Sequence, residues 1–336
     1  MHALCEHHPA VWGILLKMTS PTGTPGKFVP KPFVILLIIL AGLCVMLTFL
    51  EPRFLTVDNL LNILRQSSII GIVALGMTCV ILVRGIDLSV GSIVALSSMV
   101  AAAAVKAGIP WFASWGIALF VGAACGGFNG IIVAWLGIPP FIVTLGMMGA
   151  ARGMALLFTQ GAPISTFPES FRTLGTGWLA GIPVPVIVFA TVFVLVYLLL
   201  ERSAWGEQIR CIGSNPVAAW GSAIPVPRLT ASVFVLSGTL AALAGLILAG
   251  RLDAAQPTAG LGYEFGAIAA AVLGGTQFSG GKGTLRGTVL GVLIMGVLAN
   301  GINILNVNPF YEQVVRGIVI ALALIFYGRF SVRSAT

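Results

Sequence analysis

The chain has 336 residues, of which 58% are hydrophobic and only 8% are charged, and its formal net charge is +8. A soluble globular domain carries about 25% charged residues, so this composition excludes that class and indicates an integral membrane protein. The apolar runs are continuous and do not alternate, which favours helices over a β-barrel. We therefore predict an all-α, polytopic membrane helix bundle.

The first segment, 1–32, is rich in proline and polar residues and is predicted to be a flexible cytoplasmic tail. Its short apolar part does not resemble a signal peptide, and Met18 is an alternative translation start to Met1. All three histidines, at positions 2, 7 and 8, lie in this tail. Histidine catalysis or a histidine metal site within the membrane is therefore disfavoured.

Long apolar runs follow the tail, each near the roughly 20 residues that a helix needs to cross a bilayer. With the C-terminal stretch, they predict about ten membrane spans in one domain over 33–328, before a cytoplasmic tail at 329–336. The runs are 33–50, 66–83, 88–105, 107–151 (two spans), 173–200, 229–250, 265–281 and 287–311.

Basic residues predict the orientation of these spans. With both termini in the cytoplasm, Lys and Arg are in excess on the inside, as the positive-inside rule requires. The net charge therefore reports membrane topology, and we expect lipid and no nucleic acid as a partner. The predicted inside residues are Lys17, Lys27, Lys31, Arg84, Arg202, Arg210, Arg228, Lys282, Arg286, Arg329 and Arg333.

The segment "VILVRGIDLSVGSIVALSS" (80–98) places Arg84 and Asp87 between two apolar runs. One interpretation puts both at an inside turn, where the interface lowers their cost and Asp87 caps a helix beginning at Leu88. The alternative is a broken segment at depth that lines a pathway. Arg152 poses a similar choice, between a functional intramembrane charge and a side chain that reaches the interface.

Small residues recur within the spans. Gly122, Gly126 and Gly130 form a small-xxx-small ridge, and Gly287 and Gly291 form a second pair. Such residues let membrane helices approach closely. They predict tight packing and carry no information about a ligand.

The largest polar interruption is the loop 201–228. Asn215-Pro216 is a helix-start signal, and Pro225 and Pro227 end the helix that follows. A capped surface helix is the simpler interpretation, and a docking element for a cytoplasmic partner is the other.

No catalytic motif is present, so we expect a protein that is not an enzyme and holds no metal or cofactor. The segment "GGTQFSGGKGTLRG" (274–287) lacks the spacing of a phosphate-binding loop and predicts a turn between spans. Uncharged polar and aromatic residues within the spans would suit a neutral polyol, although helix–helix hydrogen bonding explains each of them as well. The pathway candidates are Asn129, Phe141, Thr144, Asn300 and Asn303.

Six segments resemble the permease subunits of ribose- and xylose-type sugar importers, which are ATP-binding-cassette (ABC) systems. They occur in order and span roughly 58–327. The segments are "GIDLSVGSIVAL" (85–96), "TLGMMGAARGMALL" (144–157), "IGSNPVAAWGSAI" (212–224), "SGTLAALAGLILAGRL" (237–252), "AIAAAVLGGTQFSGGKGTLRGTVLG" (267–291) and "YEQVVRGIVI" (311–320).

This resemblance implies a pair of permease subunits in the bacterial inner membrane, two cytoplasmic ATPase subunits that bind ATP and magnesium, and a periplasmic sugar-binding protein. It implies that the loop 201–228 carries the coupling helix, and it marks a signature at Gly85, Asp87, Ser89 and Gly91. The coupling residues it implies are Asn215, Pro216, Ala218, Ala219, Gly221 and Ile224.

Two positions depart from the family pattern. Ala223 stands where a glycine is common, and Gly266 where an acidic residue is common, so no charged role is carried over to Gly266. The resemblance implies import of a monosaccharide or similar polyol by alternating access. A branched-chain amino-acid ABC permease, and a carrier or channel that needs no ATP, remain as alternatives.

Overall fold

A computed structural model describes residues 32–308 together with 310–311, 313–315, 317–318 and 321. The predicted N-terminal tail up to residue 31, the C-terminal tail, most of the last predicted span and the choice between Met1 and Met18 lie outside these residues.

The described part of the chain is almost entirely helical, as predicted. A 3-10 turn, Pro52–Leu55, connects the first two helices. The helices are α1 (Pro32–Leu50), α2 (Val57–Leu82), α3 (Val90–Lys106), α4 (Trp111–Leu136), α5 (Pro140–Thr159), α6 (Glu169–Thr176), α7 (Val184–Arg202), α8 (Ala204–Ser214), α9 (Pro216–Gly221), α10 (Val226–Leu252), α11 (Tyr263–Leu273) and α12 (Leu285–Ile304).

Seven of these helices, α1, α2, α4, α5, α7, α10 and α12, are long and apolar enough to cross a membrane. Two apolar helices are shorter than their predicted spans. Helix α3 begins only at Val90, because the chain before it is irregular. Helix α11 stops at Leu273, because Gly274 and Gly275 follow and Gly275 has a φ of 95° that other residues rarely adopt.

The predicted single span over 173–200 is wrong in detail. The structure divides this stretch into α6, a short hairpin and α7. The hairpin pairs β2 (Trp178–Leu179) with β3 (Ile182–Pro183), and its turn holds Ala180 and Gly181 at positive φ. A second strand pair joins β1 (Ile164–Ser165) to β4 (Ala254–Ala255). Each of these four strands has only two residues, which is too short to show the alternation of apolar and polar residues that predicts a strand.

The core is built around α10, which packs against α2, α3 and α4. Most of α2 and α10 is buried, whereas α1 is largely exposed. The apolar side chains that remain exposed on α1, α4, α5 and α7 suit contact with lipid.

The glycine ridge of α4 packs tightly, as predicted, and the structure shows that its partner is α10. A Cβ atom added at Gly126 would overlap the carbonyl of Phe234, and one at Gly122 would overlap the carbonyl of Gly238. The second pair, Gly287 and Gly291, approaches the backbone of Gly274 and Ala270 in the same way. Glycine at these positions lets neighbouring helix backbones come into contact.

Candidate functional site

Asp87 lies between α2 and α3 and is fully buried. Its Oδ1 accepts hydrogen bonds from the backbone N–H of Ser89 at 3.0 Å and from Ser89 Oγ at 2.5 Å. Its Oδ2 accepts one from Ser237 Oγ of α10 at 2.8 Å. Charge-assisted hydrogen bonds of this kind offset part of the cost of removing a carboxylate from water.

Two predicted pathway residues bond to the same segment. Asn129 of α4 is buried, and its Nδ2 donates to Ser89 Oγ at 3.0 Å. Thr144 of α5 donates through Oγ1 to the carbonyl of Ile86 at 3.0 Å. The segment 86–89 is thus held by polar groups from α4, α5 and α10, and we call this set of contacts the signature network.

The interface interpretation of Asp87 requires correction. Helix α3 begins two residues later than Leu88. The cost of burying the carboxylate is offset by hydroxyl and N–H groups inside the protein and not by the membrane surface. It does accept the N–H of Ser89, the residue before α3, so a local turn and a buried segment occur together.

Gly91 and Arg152 form a second contact next to this network. A Cβ atom at Gly91 would overlap both a carboxylate oxygen of Glu264 and the carbonyl of Gly260. Arg152 of α5 donates to the carbonyls of Pro257 at 2.6 Å, Ala259 at 2.8 Å and Gly91 at 3.2 Å. Arg152 therefore connects α5 to the loop after β4 and to the start of α3.

Two other pathway candidates, Asn300 and Asn303, lie elsewhere. Asn300 of α12 exchanges two hydrogen bonds with Asn59 of α2, at 2.8 and 3.1 Å. Asn303 borders a polar cleft of about 480 Å³ near the start of α2. Phe141 lies one turn before Thr144 on α5, and its side chain is 52% exposed. The structure thus brings Asn129 and Thr144 to the segment 86–89, with Phe141 one turn from Thr144, and it separates Asn300 and Asn303 from them.

Sequence reasoning missed Ser237, Asn59 and the carbonyl partners of Arg152. Ser237 is a polar residue inside the long apolar run 229–250, and this was the available signal for it. Nothing local in the sequence marks the backbone carbonyls of 257–259 as the partners of Arg152.

The predicted helix of the loop 201–228 is present as α9. Asn215 caps it, because Oδ1 accepts the N–H groups of Val217 and Ala218, both at 3.1 Å. The helix ends where Ala223 adopts a φ of 60° and Ile224 N–H donates to the carbonyl of Ala219 at 3.1 Å. A cap at one end and a tight turn at the other define this short element.

The outer face of α9 is apolar and exposed. Val217 is 80% exposed and Trp220 is 74% exposed, whereas Ala219 is buried. Nothing lies within 4 Å of a Cβ atom added at Gly221. An exposed tryptophan on a rigid helix is typical of a surface that contacts another protein.

Comparison with known proteins identifies the family. Residues 59–324 match the family described as branched-chain amino acid transport system / permease component. The chain belongs to this permease family. It is thus a multi-pass membrane protein, a permease subunit of a bacterial ABC importer, and not an enzyme.

Several curated relatives are similar over most of their length. The ribose import permease protein RbsC of Haemophilus influenzae is 42% identical, over 89% of this chain and 94% of its own. RbsC of Bacillus subtilis is 45% identical, over 84% and 88%. The D-allose transport system permease protein AlsC of Escherichia coli is 42% identical, over 85% and 89%.

Proposed function

We propose that this permease imports a monosaccharide or similar polyol by alternating access, driven by ATP hydrolysis in a separate subunit. The similar proteins are named for ribose, D-allose and L-arabinose transport, and each is at least 36% identical to this chain. Because three different sugars occur among the relatives, the proposal names the class of substrate and no single sugar.

The observation that carries the proposal is the exposed face of α9. Val217 and Trp220 project from a capped helix in the loop 201–228, the largest polar interruption, where water would otherwise cover them. An apolar face in water is stabilised by covering it with a partner. We assign that partner as the ATPase subunit, which binds ATP and magnesium.

The wider assembly is proposed from the family resemblance and the charge distribution. Two permease subunits form the pathway, and a periplasmic sugar-binding protein delivers the substrate. About ten spans with both termini in the cytoplasm place the loop 201–228 and the turn 274–284 on the inner side. The assembly lies in the bacterial inner membrane.

The five pathway candidates remain proposals. Asn303 supports this role most directly, because the cleft it borders is also lined by Arg53, Asp58, Asn62 and Asn306. Side-chain amides both donate and accept hydrogen bonds, which matches the hydroxyl groups of a sugar. Asn129 and Thr144 act on the pathway through the segment 86–89, which they hold.

The docking role is tested with Gly221→Glu and Trp220→Glu, which place a charge on the outer face of α9 without filling the core. We expect each variant to insert normally and to lose co-purification of the ATPase subunit. Ala204→Glu is the matched control, because Ala204 is an exposed alanine in the same loop. Normal co-purification of both α9 variants would show that α9 does not bind the ATPase.

The substrate class is tested in proteoliposomes that contain the permease, its ATPase and its binding protein. We expect ATP-dependent uptake of labelled D-ribose, D-allose or L-arabinose. The family description makes branched-chain amino acids the second candidate, so uptake of labelled leucine instead of these sugars would overturn the sugar assignment. Full uptake without the ATPase would indicate a carrier or channel.

A further inference from the structure

Arg84 joins the end of α2 to the end of α8. Its Nε donates to the carbonyl of Gly213 at 2.6 Å, and its Nη2 donates to the carbonyl of Ser214 at 2.7 Å. These are the last two carbonyls of α8, and the next residue is Asn215, the cap of α9. The C-terminal end of a helix carries a partial negative charge, so a guanidinium is favoured there.

The glycine-rich turn 274–284 also contacts the ends of α2 and α8. The N–H of Gly281 donates to the carbonyl of Leu82 at 2.9 Å. A Cβ atom at Gly213 would overlap both the Leu82 carbonyl and the Gly281 backbone. Three segments therefore meet backbone to backbone at the base of α9, and little relative movement is possible without disturbing all three.

The backbone of Arg84 is unfavourable for an arginine. Its φ is 64°, in the left-handed region where a Cβ atom costs free energy and glycine does not. An arginine that only extended its side chain to the membrane interface would need neither a positive φ nor two fixed carbonyl acceptors. The contacts of the guanidinium are what compensate for the backbone conformation in the folded chain.

The same short segment is anchored deep in the bundle. Ile86 accepts a hydrogen bond from Thr144 of α5, and Asp87 accepts one from Ser237 of α10. Residues 84–89 are thus bonded to the base of α9 at one end and to α5 and α10 at the other. A short segment fixed at both ends transfers displacement between the elements that hold it.

We propose that Arg84 is a positioning residue that transmits movement of α9 to α5 and α10 through residues 84–89. The proposal rests on the proposed function, in which α9 docks the ATPase. Arg84 is exposed, but its guanidinium bonds to the last two carbonyls of α8 and not to the outer face of α9, so the proposal gives it no part in docking. Removing its side chain breaks the two hydrogen bonds that join residues 84–89 to the base of α9, while leaving the exposed face of α9 unchanged.

Arg84→Gly is the decisive variant. It removes the guanidinium and also relieves the positive φ, so a loss of function cannot be ascribed to new backbone strain. Arg84→Lys keeps the charge but cannot bind both carbonyls in the fork geometry of arginine. Arg202→Ala is the matched control, because Arg202 is an exposed basic residue at the end of α7 with no side-chain hydrogen bond to the described residues.

The experiment uses the complete importer in proteoliposomes and measures three quantities. They are co-purification of the ATPase, ATP hydrolysis, and D-ribose transported per ATP hydrolysed in the presence of the binding protein. We expect Arg84→Gly to keep its ATPase and its basal hydrolysis, and to lose about fivefold or more in D-ribose transported per ATP. Arg84→Lys should fall between Arg84→Gly and the unmodified chain.

The outcomes separate this inference from the proposed function. Unchanged transport per ATP in Arg84→Gly would overturn the transmission role, and so would loss of the ATPase, since Arg84 would then be a docking residue. Normal ATPase binding by Gly221→Glu and Trp220→Glu would instead overturn the docking role of α9. If the unmodified complex does not transport D-ribose, binding-protein stimulation of ATP hydrolysis serves as the coupling readout, with the same fivefold loss expected.

Discussion

Ser237 Oγ on α10 donates a hydrogen bond of 2.8 Å to Oδ2 of Asp87, although the two residues are 150 positions apart in the sequence. This contact fixes the signature segment to the central helix of the bundle. It also places a carboxylate where no water reaches it, so its hydrogen-bond donors must come from the protein.

Removing the carboxylate should therefore destabilise the protein. Asp87→Ala leaves the hydroxyls of Ser89 and Ser237 without their acceptor, and each orphaned buried group costs about 1–3 kcal/mol. Asp87→Asn keeps one acceptor oxygen and should cost less. Thermal unfolding of the purified permease in detergent measures the difference, with the exposed Ser222→Ala as the control. Equal melting temperatures for Asp87→Ala and the control would contradict a stabilising network.

Two adjacent glycines of α4 provide a test of helix packing. Gly126→Ala would drive a methyl group into the carbonyl of Phe234, whereas a Cβ at Gly127 would lie 3.5 Å from Val235 Cγ2, an ordinary contact. We expect Gly126→Ala to lose about 1–3 kcal/mol of stability through overpacking. Gly127→Ala should be neutral or slightly stabilising, because alanine favours a helix. The same unfolding assay decides, and equal losses in both variants would contradict the close α4–α10 approach.

Arg152 should control the order of the loop after β4. Its guanidinium binds three carbonyls, on Pro257, Ala259 and Gly91, and a lysine cannot reproduce that geometry. We expect Arg152→Lys to lose about 2 kcal/mol of local stability, because hydrogen bonds to charged groups contribute on that order. Hydrogen exchange should then rise at the amides of Ala259 and Tyr263, which close turns in this loop.

The control for this experiment is Arg202→Lys, which alters an exposed arginine on a different helix. Unchanged exchange at residues 256–263 in Arg152→Lys would show that Arg152 does not hold the loop. In that case Arg152 would be tolerated in α5 only because its long side chain can extend to the membrane interface.

Local signals predicted several features of the fold well. The division of the run 107–151 into two spans is confirmed by the separate helices α4 and α5. The helix start at Asn215-Pro216 is confirmed by the two hydrogen bonds to Asn215 Oδ1. Both depend on residues close together in the chain, so the sequence contains all the information that they require.

The candidate site was predicted only in part, because its contacts join distant segments. The polar character of Asn129 and Thr144 is visible in the sequence. That both donate hydrogen bonds to the segment 86–89, which contains Asp87, is not. Helix α11 was also predicted too long and α3 was predicted to begin two residues too early, since apolar residues continue through turns whose conformation depends on glycine and on neighbouring helices.

The sequence by itself determined the membrane class, the helical fold, the family resemblance and the capped loop helix, because composition, apolar run length and local capping act within a few turns of chain. Only the tertiary structure decided which groups bind the charged side chains within the bundle and at its ends. Ser89 and Ser237 bind Asp87, backbone carbonyls bind Arg152, and the end of α8 binds Arg84. A polar group in an apolar bundle must find its partner wherever the packing of helices brings one within hydrogen-bond distance, and that packing is a property of the whole chain.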